Sequence, residues 1–330
     1  MPRQHRLDPT PETVHWGYFD AAIPAKLTVD SGDTVVVDTV SGGRRELGDD
    51  LSRLSPGHRE IAEKVFQGPG PHILTGPIAV RGAEPGDTLE VRIKAIELTV
   101  DWGWNIIRPL RGTLPEDFPR LRRTLIPIDR TKLTAALPWG PVIPLRPFFG
   151  ICATAPRPEY GLVSTVEPRE FGGNIDNKEF VPGTSLFLPV FVPGANFSAG
   201  DGHAVQGDGE VCLTALETCL RGTFELVLHK GMGLTFPRAV TPTHYIAMGF
   251  DPDLDDAARQ ALRDMIAWLV QMTGWTPEEA YVFCSLACDL RVTQLVDGNK
   301  GVHAMVSRGL LDPPAHTAPT RRSSAISAGV

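Results

Sequence analysis

Apolar positions in this chain fall mostly in short runs with a two-residue rhythm, each set off by a tight turn. Gly32-Asp33 stands before Thr34 to Thr39, Gly86-Asp87 before Thr88 to Ile93, and Gly183-Thr184 before Ser185 to Val190. Gly200-Asp201 stands before Gly202 to Val205 and reads the same way, with Asp201 as a turn former. Glycine accepts positive φ, and Asp bonds its own backbone, so these residues turn the chain for stated reasons. The runs that follow, such as "TVVVDTV" and "DTLEVRI", alternate or are continuously apolar with β-branched residues, which predicts strands. A helical period comes late. Leu254, Ala258, Leu262, Met265, Ile266, Leu269 and Val270 keep helical spacing, Asp253, Asp255 and Asp256 suit the positive end, and Gly274 suits the stop. A helix is predicted over 254–273. Thr276-Pro277-Glu278-Glu279 reads as N-cap, first-turn proline and capping box of a second helix running to about Cys288. Glu60 to Phe66 reads as a short turn or helix, and "LRVTQLVDG" (Leu290 to Gly298) as a strand and turn.

The predicted organisation is mainly β with a smaller α+β part. It divides into a β-rich region over 1–250, a helix-containing segment over 251–311 packed on the same unit, and a flexible tail over 312–330, where apolar period is missing. Composition sharpens this picture. The chain holds 33 glycines and 30 prolines in 330 residues, spread along its length, and both residue types are costly inside helices. The formal net charge is −7 with no long basic run, which argues against nucleic acid or anionic membrane as a partner. There is no apolar stretch of the length a membrane helix needs, and the polar start, Met1 to Arg6, is not followed by a signal-like apolar region. A cytoplasmic location is expected. The five cysteines, Cys152, Cys212, Cys219, Cys284 and Cys288, contain no CxxC pair and read as reduced, mostly buried thiols.

The densest polar segment is "GDGHAVQGDGEV", Gly200 to Val211. Asp201 and His203 are two apart, as are Asp208 and Glu210, so each pair shares a face wherever the backbone is extended. Imidazole and carboxylate ligands on neighbouring strands suit a borderline divalent cation such as Zn²⁺, and an uncoordinated carboxylate can serve as general base. The pattern matches no standard zinc signature. A second segment, "EFGGNIDNKEF" (Glu170 to Phe180), places Asn174 and Asp176 on one face when extended, with Lys178 following. This is either a solvated Gly-Asn hairpin or a framed site for a small polar substrate. His72 sits in a Gly/Pro loop, where an imidazole has little structural purpose, while His15 either reaches a pocket or packs on Trp16. "DWGWN" (Asp101 to Asn105) reads as core or interface. No GxSxG elbow, HExxH, Walker loop or dinucleotide fingerprint occurs.

With these segments in hand, the chain resembles the acetamidase/formamidase family from about Val14 to Val306. The resemblance is carried, in order, by "HWGYFDAAIPAKLTVDSGDTVVVDTVSG", "GPHILTGPIAVRGAEPGDTLEV", "LPWGPVIPLRPFFGICATAP", "FGGNIDNKEF", "GDGHAVQGDGEVCLTALET" and "AYVFCSLACDLRVTQLVDGNKGVHAMV". It implies a β-sandwich-like fold, hydrolysis of short linear amides to carboxylate and ammonia, cytoplasmic homo-oligomers, and a divalent metal in some members. On that basis His203, Asp208 and Asp176 are the expected metal ligands, for Zn²⁺ with Ca²⁺ as the alternative. Glu210, Asp208 and His203 are the expected catalytic groups, and Asn174, Asp176, His72 and Gly173 the expected substrate contacts. Phe171 departs from the family, many of whose members carry His before the two glycines. A small-ligand binding sandwich, and hydrolysis of a urea-like or carbamoyl compound, remain open alternatives.

Overall fold

Two large β-sheets share a single apolar core in the computed structural model, which describes residues 2–311. The expected tail over 312–330 lies outside the described residues. The chain is 40% strand and 16% helix. One sheet has nine strands, in the order Gln4–Leu7, Thr34–Asp38, Leu220–His229, Thr88–Leu98, Ser185–Pro189, Arg238–Val240, His244–Asp251, Lys300–Ser307 and Cys288–Gln294. The other has eleven and runs through Trp102–Ile107, Leu216–Thr218, Phe197–Val205, Phe148–Ala153 and Gly172–Asn174, with Ile73–Val80 joined to Phe197–Val205. Period-2 patterning explains the packing. Val35 and Val37, Leu89 and Val91, and Phe224 and Leu226 project from the first sheet onto Ile78, Phe149, Phe197 and Ala199 of the second.

The long helix spans Leu254–Thr273, capped by the Asp253 carboxylate, which accepts the N–H groups of Asp255 and Asp256, and closed by Gly274 in the left-handed region. Its most buried positions are Ala257, Ala261, Met265, Trp268 and Leu269, while Leu254, Ala258, Leu262, Ile266 and Val270 are only partly covered. The small residues face the sheet because the helix crosses it closely: a Cβ on Gly249 would lie 2.0 Å from the Ala257 carbonyl oxygen. The second helix, Pro277–Ala287, has the expected capping box between Thr276 and Glu279. A third forms over Pro56–Lys64 rather than 60–66, because Ser55 caps it and Pro56 occupies its first turn. Among the described residues no helix is long and apolar enough to cross a membrane.

Gly200-Asp201 departs from expectation. It is not a turn launching a strand but the middle of the continuous strand Phe197–Val205. Its glycines serve close strand approach instead: a Cβ on Gly200 would lie 2.5 Å from the Ile73 carbonyl oxygen, and one on Gly202 2.6 Å from that of Thr218.

Candidate active site

Strand register assembles the polar centre. In the Phe197–Val205 strand, His203 sits opposite Phe148 on one side and Glu217 on the other, and Gly200 sits opposite Ile151 and Leu74. Ile151 in turn faces Asn174, and the Asp176 N–H donates to the Gly150 carbonyl. Five carboxylates, Asp176, Asp201, Glu210, Glu217 and Asp297, thereby line one cavity of about 150 Å³ together with His72 and Asn174. Each of the five is no more than 7% exposed, and His203 is 1% exposed.

His203 is the hub. Its Nε2 lies 3.1 Å from Glu217 Oε1 and 3.2 Å from Asp201 Oδ2, and its Nδ1 lies 2.9 Å from Gln206 Oε1. The Gln206 amide nitrogen donates to the carbonyls of Asp176 and Thr293, so its oxygen must be the acceptor. His203 therefore donates from Nδ1 and turns Nε2 toward the carboxylates, an orientation fixed from outside the cluster. Phe148 stacks edge-on against the ring, with centroids 5.0 Å apart.

Glu210 reaches the same space by a different backbone. It holds φ 45° just after Gly209 at φ 94°. The loop is clamped by the Gly209 N–H donating to the Thr293 carbonyl and the Leu295 N–H donating to the Gly209 carbonyl. Those bonds also carry the following loop, with Asp297, onto the site. Because residues 208–210 are not extended, Asp208 and Glu210 do not share a face. Asp208 pairs with Lys178 at 2.9 Å, on a side chain 32% exposed. It joins neither group of possible metal ligands, which corrects its expected place as ligand and catalytic group. Gly173 is likewise not part of the cavity lining. It sits in the strand Gly172–Asn174 at φ 91°, facing Phe19, Phe171 and the Glu167 carbonyl.

The electrostatics follow from so many acids buried together. Burial first, and neighbouring carboxylates after it, push Glu210 and Asp297 well above the usual carboxylate range. Burial likewise lifts Glu217 to about 8 and Asp176 to about 6, against the opposing effect of His203. Despite its burial, Asp201 is held below the ordinary Asp range by His72 and His203. Burial opposes charge on His203 too, yet Glu217 and Asp201 raise it well above the ordinary imidazole value.

Several polar atoms here make close contacts but no well-aligned hydrogen bond. His203 Nε2 and Glu217 Oε2 make no hydrogen bond, and no amide, hydroxyl or cationic group donates to either carboxylate oxygen of Asp176. A Cβ on Gly150 would fall 2.4 Å from Asp176 Oδ1 and 2.5 Å from Asp201 Oδ2, so only glycine leaves this cradle open. Two three-residue groups have the donor proximity a metal ion needs, Asp201/His203/Glu217 and Asp176/His203/Glu210. Clustered oxygen and imidazole donors, in a pocket lined by several buried carboxylates, fit a divalent cation.

His72 contacts Thr165 Oγ1 at 3.0 Å through Nδ1 and approaches Asp201 Oδ2 at 3.9 Å through Nε2. His15 lies elsewhere. It is buried, donates to the Tyr18 carbonyl and meets Ser198 Oγ, and burial lowers it to about 4. Phe171 is fully buried against Phe19 and does not line the cavity. Burial pushes the thiols of Cys152 and Cys219 up to about 12, which leaves them poor nucleophiles. Sequence reasoning missed Glu217, Asp297 and Gly150, and set Asp201 aside as a turn. The available signal for Glu217 was a lone acid in the apolar run "LTALETCL".

Relatives share this architecture. The crystal structure of an acetamidase from Bacillus halodurans superposes with a TM-score of 0.79 at 29% identity, covering 92% of this chain and 98% of that one. The acetamidase of Mycolicibacterium smegmatis is 28% identical over 247 residues, 57% of this chain and 59% of that protein. The formamidase of Methylophilus methylotrophus is 28% identical over 257 residues, 59% of this chain and 63% of that protein. The matched stretches thus span less than two thirds of these curated relatives. The profile of the Acetamidase/Formamidase family matches residues 4–162 and 159–307, nearly the whole described chain, and with the shared fold this establishes that the chain belongs to the acetamidase/formamidase family.

Proposed function

We propose that this protein hydrolyses the C–N bond of linear amides to carboxylate and ammonia, with a divalent cation held by Asp201, His203 Nε2 and Glu217. The observation that carries this reading is His203 Nε2 set between Asp201 Oδ2 and Glu217 Oε1 at 3.2 and 3.1 Å, beside a cavity that these two acids line and that also holds an amide acceptor, Asn174 Oδ1, without a hydrogen bond. The other ligand group is less apt where it would use Nδ1, since Gln206 already occupies that atom. One imidazole and two carboxylates suit Zn²⁺. A cation bound there supplies charge that polarises the amide carbonyl and eases ionisation of the attacking water.

The remaining groups divide the work of acyl transfer to water. Asn174 spends its side-chain N–H on the Val166 carbonyl, which leaves Oδ1 buried, unpartnered and able to accept from the substrate amide N–H. Asp176 flanks the same space and orients the substrate from the other side. Glu210 takes a proton from the attacking water and returns it to the leaving nitrogen, the role for which a buried carboxyl with a raised proton affinity is suited.

Chelation and reconstitution test this reading. Dialysis against a chelator is expected to lower ammonia release from formamide and acetamide, and stoichiometric Zn²⁺ to restore it. Full activity in a preparation free of metal by elemental analysis would remove the cation from the mechanism. A panel including urea and carbamoyl compounds separates the linear-amide reading from its alternatives. Tight binding of an amide without ammonia release from any would point to a binding module instead.

Gly150→Ala adds a second test at the cradle. The new methyl group must displace Asp176 and Asp201 by a large fraction of an ångström, and misplacements of that size cost about 10²-fold in rate. Such a loss in kcat/KM is expected, with weaker Zn²⁺ retention measured by equilibrium dialysis. Unchanged values for both would show that the cradle has no part in the site.

A further inference from the structure

The cavity changes character with depth, and its outer part has no role in cleaving formamide or acetamide. Its floor is acidic and fully buried. Its walls are apolar and also buried, formed by Val40, Ile73, Ile106 and Val296. Its rim carries Arg45, Arg108 and Arg111 against one carboxylate, Glu46. That carboxylate is already committed, since it accepts from the Gly43 N–H and from Arg108. Arg45 and Arg111 are exposed and carry no ion pair among the described residues. The rim is therefore net positive while the floor is rich in acids. A cavity of about 150 Å³ is the size that accepts benzene, which is larger than formamide or acetamide.

Resting on the amidase reading above, we infer that the preferred substrate is the monoamide of a short dicarboxylic acid, bound with its amide at the acidic floor and its carboxylate at Arg45 and Arg111. Each zone matches one part of such a molecule. The amide meets Asn174 and the cation-binding group, the methylene segment meets the apolar wall, and the free carboxylate meets guanidinium groups able to bind it in a fork. The alternative orientation fails on hydrogen bonding, because a carboxylate has no N–H to give the buried Asn174 Oδ1, whereas the amide end does. The rim also steers: unpaired arginines around an opening raise the encounter rate of anions, in a manner that salt weakens.

The test compares succinamate with succinamide, which share a carbon chain but differ in the charge at the far end; succinamide carries two equivalent amides, so its kcat/KM is taken per amide. Acetamide is included as the short reference. Ammonia release is expected to give kcat/KM about tenfold higher for succinamate than for succinamide at low salt, the scale of a charge-assisted hydrogen bond. That ratio should fall toward unity in 0.5 M salt and in the double variant Arg45→Gln/Arg111→Gln, and should invert in Arg111→Glu. Malonamate and glutaramate extend the series and locate the chain length that spans floor to rim. Equal kcat/KM for succinamate and succinamide, or a preference unmoved by the double variant, overturns the inference while leaving the amidase reading standing. Ammonia release from none of these amides overturns both.

Discussion

Glu210→Gln is expected to lower kcat for acetamide by about 10²–10⁴-fold with little change in KM, the range for loss of a general acid–base group. The substitution keeps the size and polarity of the side chain and removes only its ability to exchange a proton. Glu210 is 6% exposed, with burial and then Asp176 raising its proton affinity, so its carboxyl is most stable when neutral in the metal-free protein. An amide at that position relieves this burden, and thermal unfolding of the variant should therefore occur at the same temperature or higher. That second measurement separates chemistry from folding. A variant with a lower melting temperature and proportionally less active protein would indicate a structural role only. Retention of kcat to within about tenfold would sink the proton-transfer role. The backbone supports the assignment: a non-glycine residue at φ 45° is rare, and such strain persists where surrounding structure enforces it, here the clamp of Gly209 between Thr293 and Leu295.

The other large effect is expected at His203. His203→Ala should cost on the order of 10³-fold or more in kcat/KM and abolish stoichiometric Zn²⁺ retention, because both possible ligand groups contain this residue. Removing it also leaves Asp201 and Glu217 facing each other without an intervening cation, so the alanine variant loses stability as well. His203→Asn keeps part of the polarity and provides the cleaner comparison. Metal content by mass spectrometry and ammonia release should fall together in both variants, with far-UV circular dichroism unchanged in the asparagine form. The orienting contact gives a graded control. Gln206→Ala leaves the imidazole in place but frees Nδ1, and outer contacts of this kind change metal affinity by about 10–100-fold. Full metal retention in His203→Asn would move the cation to other ligands.

Local structure was legible in the sequence wherever its cause is local. Thr276 with Glu279 closes a capping box because those residues lie within one helical turn, and the helix over Leu254–Thr273 has the bounds its caps indicate. Turns at Asp33, Asp87 and Thr184 precede strands Thr34–Asp38, Thr88–Leu98 and Ser185–Pro189 as their chemistry predicts. Asp201 and His203 do converge, with 3.2 Å between Oδ2 and Nε2, although Asp201 holds φ 55° inside the strand rather than the extended backbone that the two-residue rule assumes. The same rule misled at Asp208 and Glu210, where positive φ at Gly209 and Glu210 replaces the extended backbone that the rule assumes.

What the sequence by itself determined is the β-rich architecture, the ends of the helices over Leu254–Thr273 and Pro277–Ala287, and the segments that carry His203, Glu210, Asn174 and Asp176. Tertiary structure alone decided how these meet. Glu217 stands beside His203 because their strands pair in that register, and Asp297 arrives on a loop held to Gly209 by backbone hydrogen bonds. Gly150 matters only because Asp176 and Asp201, from two other segments, converge on the space its missing side chain leaves. The physical reason is one of range. Caps, turns and periodicity are interactions between residues a few positions apart, whereas the cavity is made by cross-strand register and the burial of charge, which no local pattern encodes.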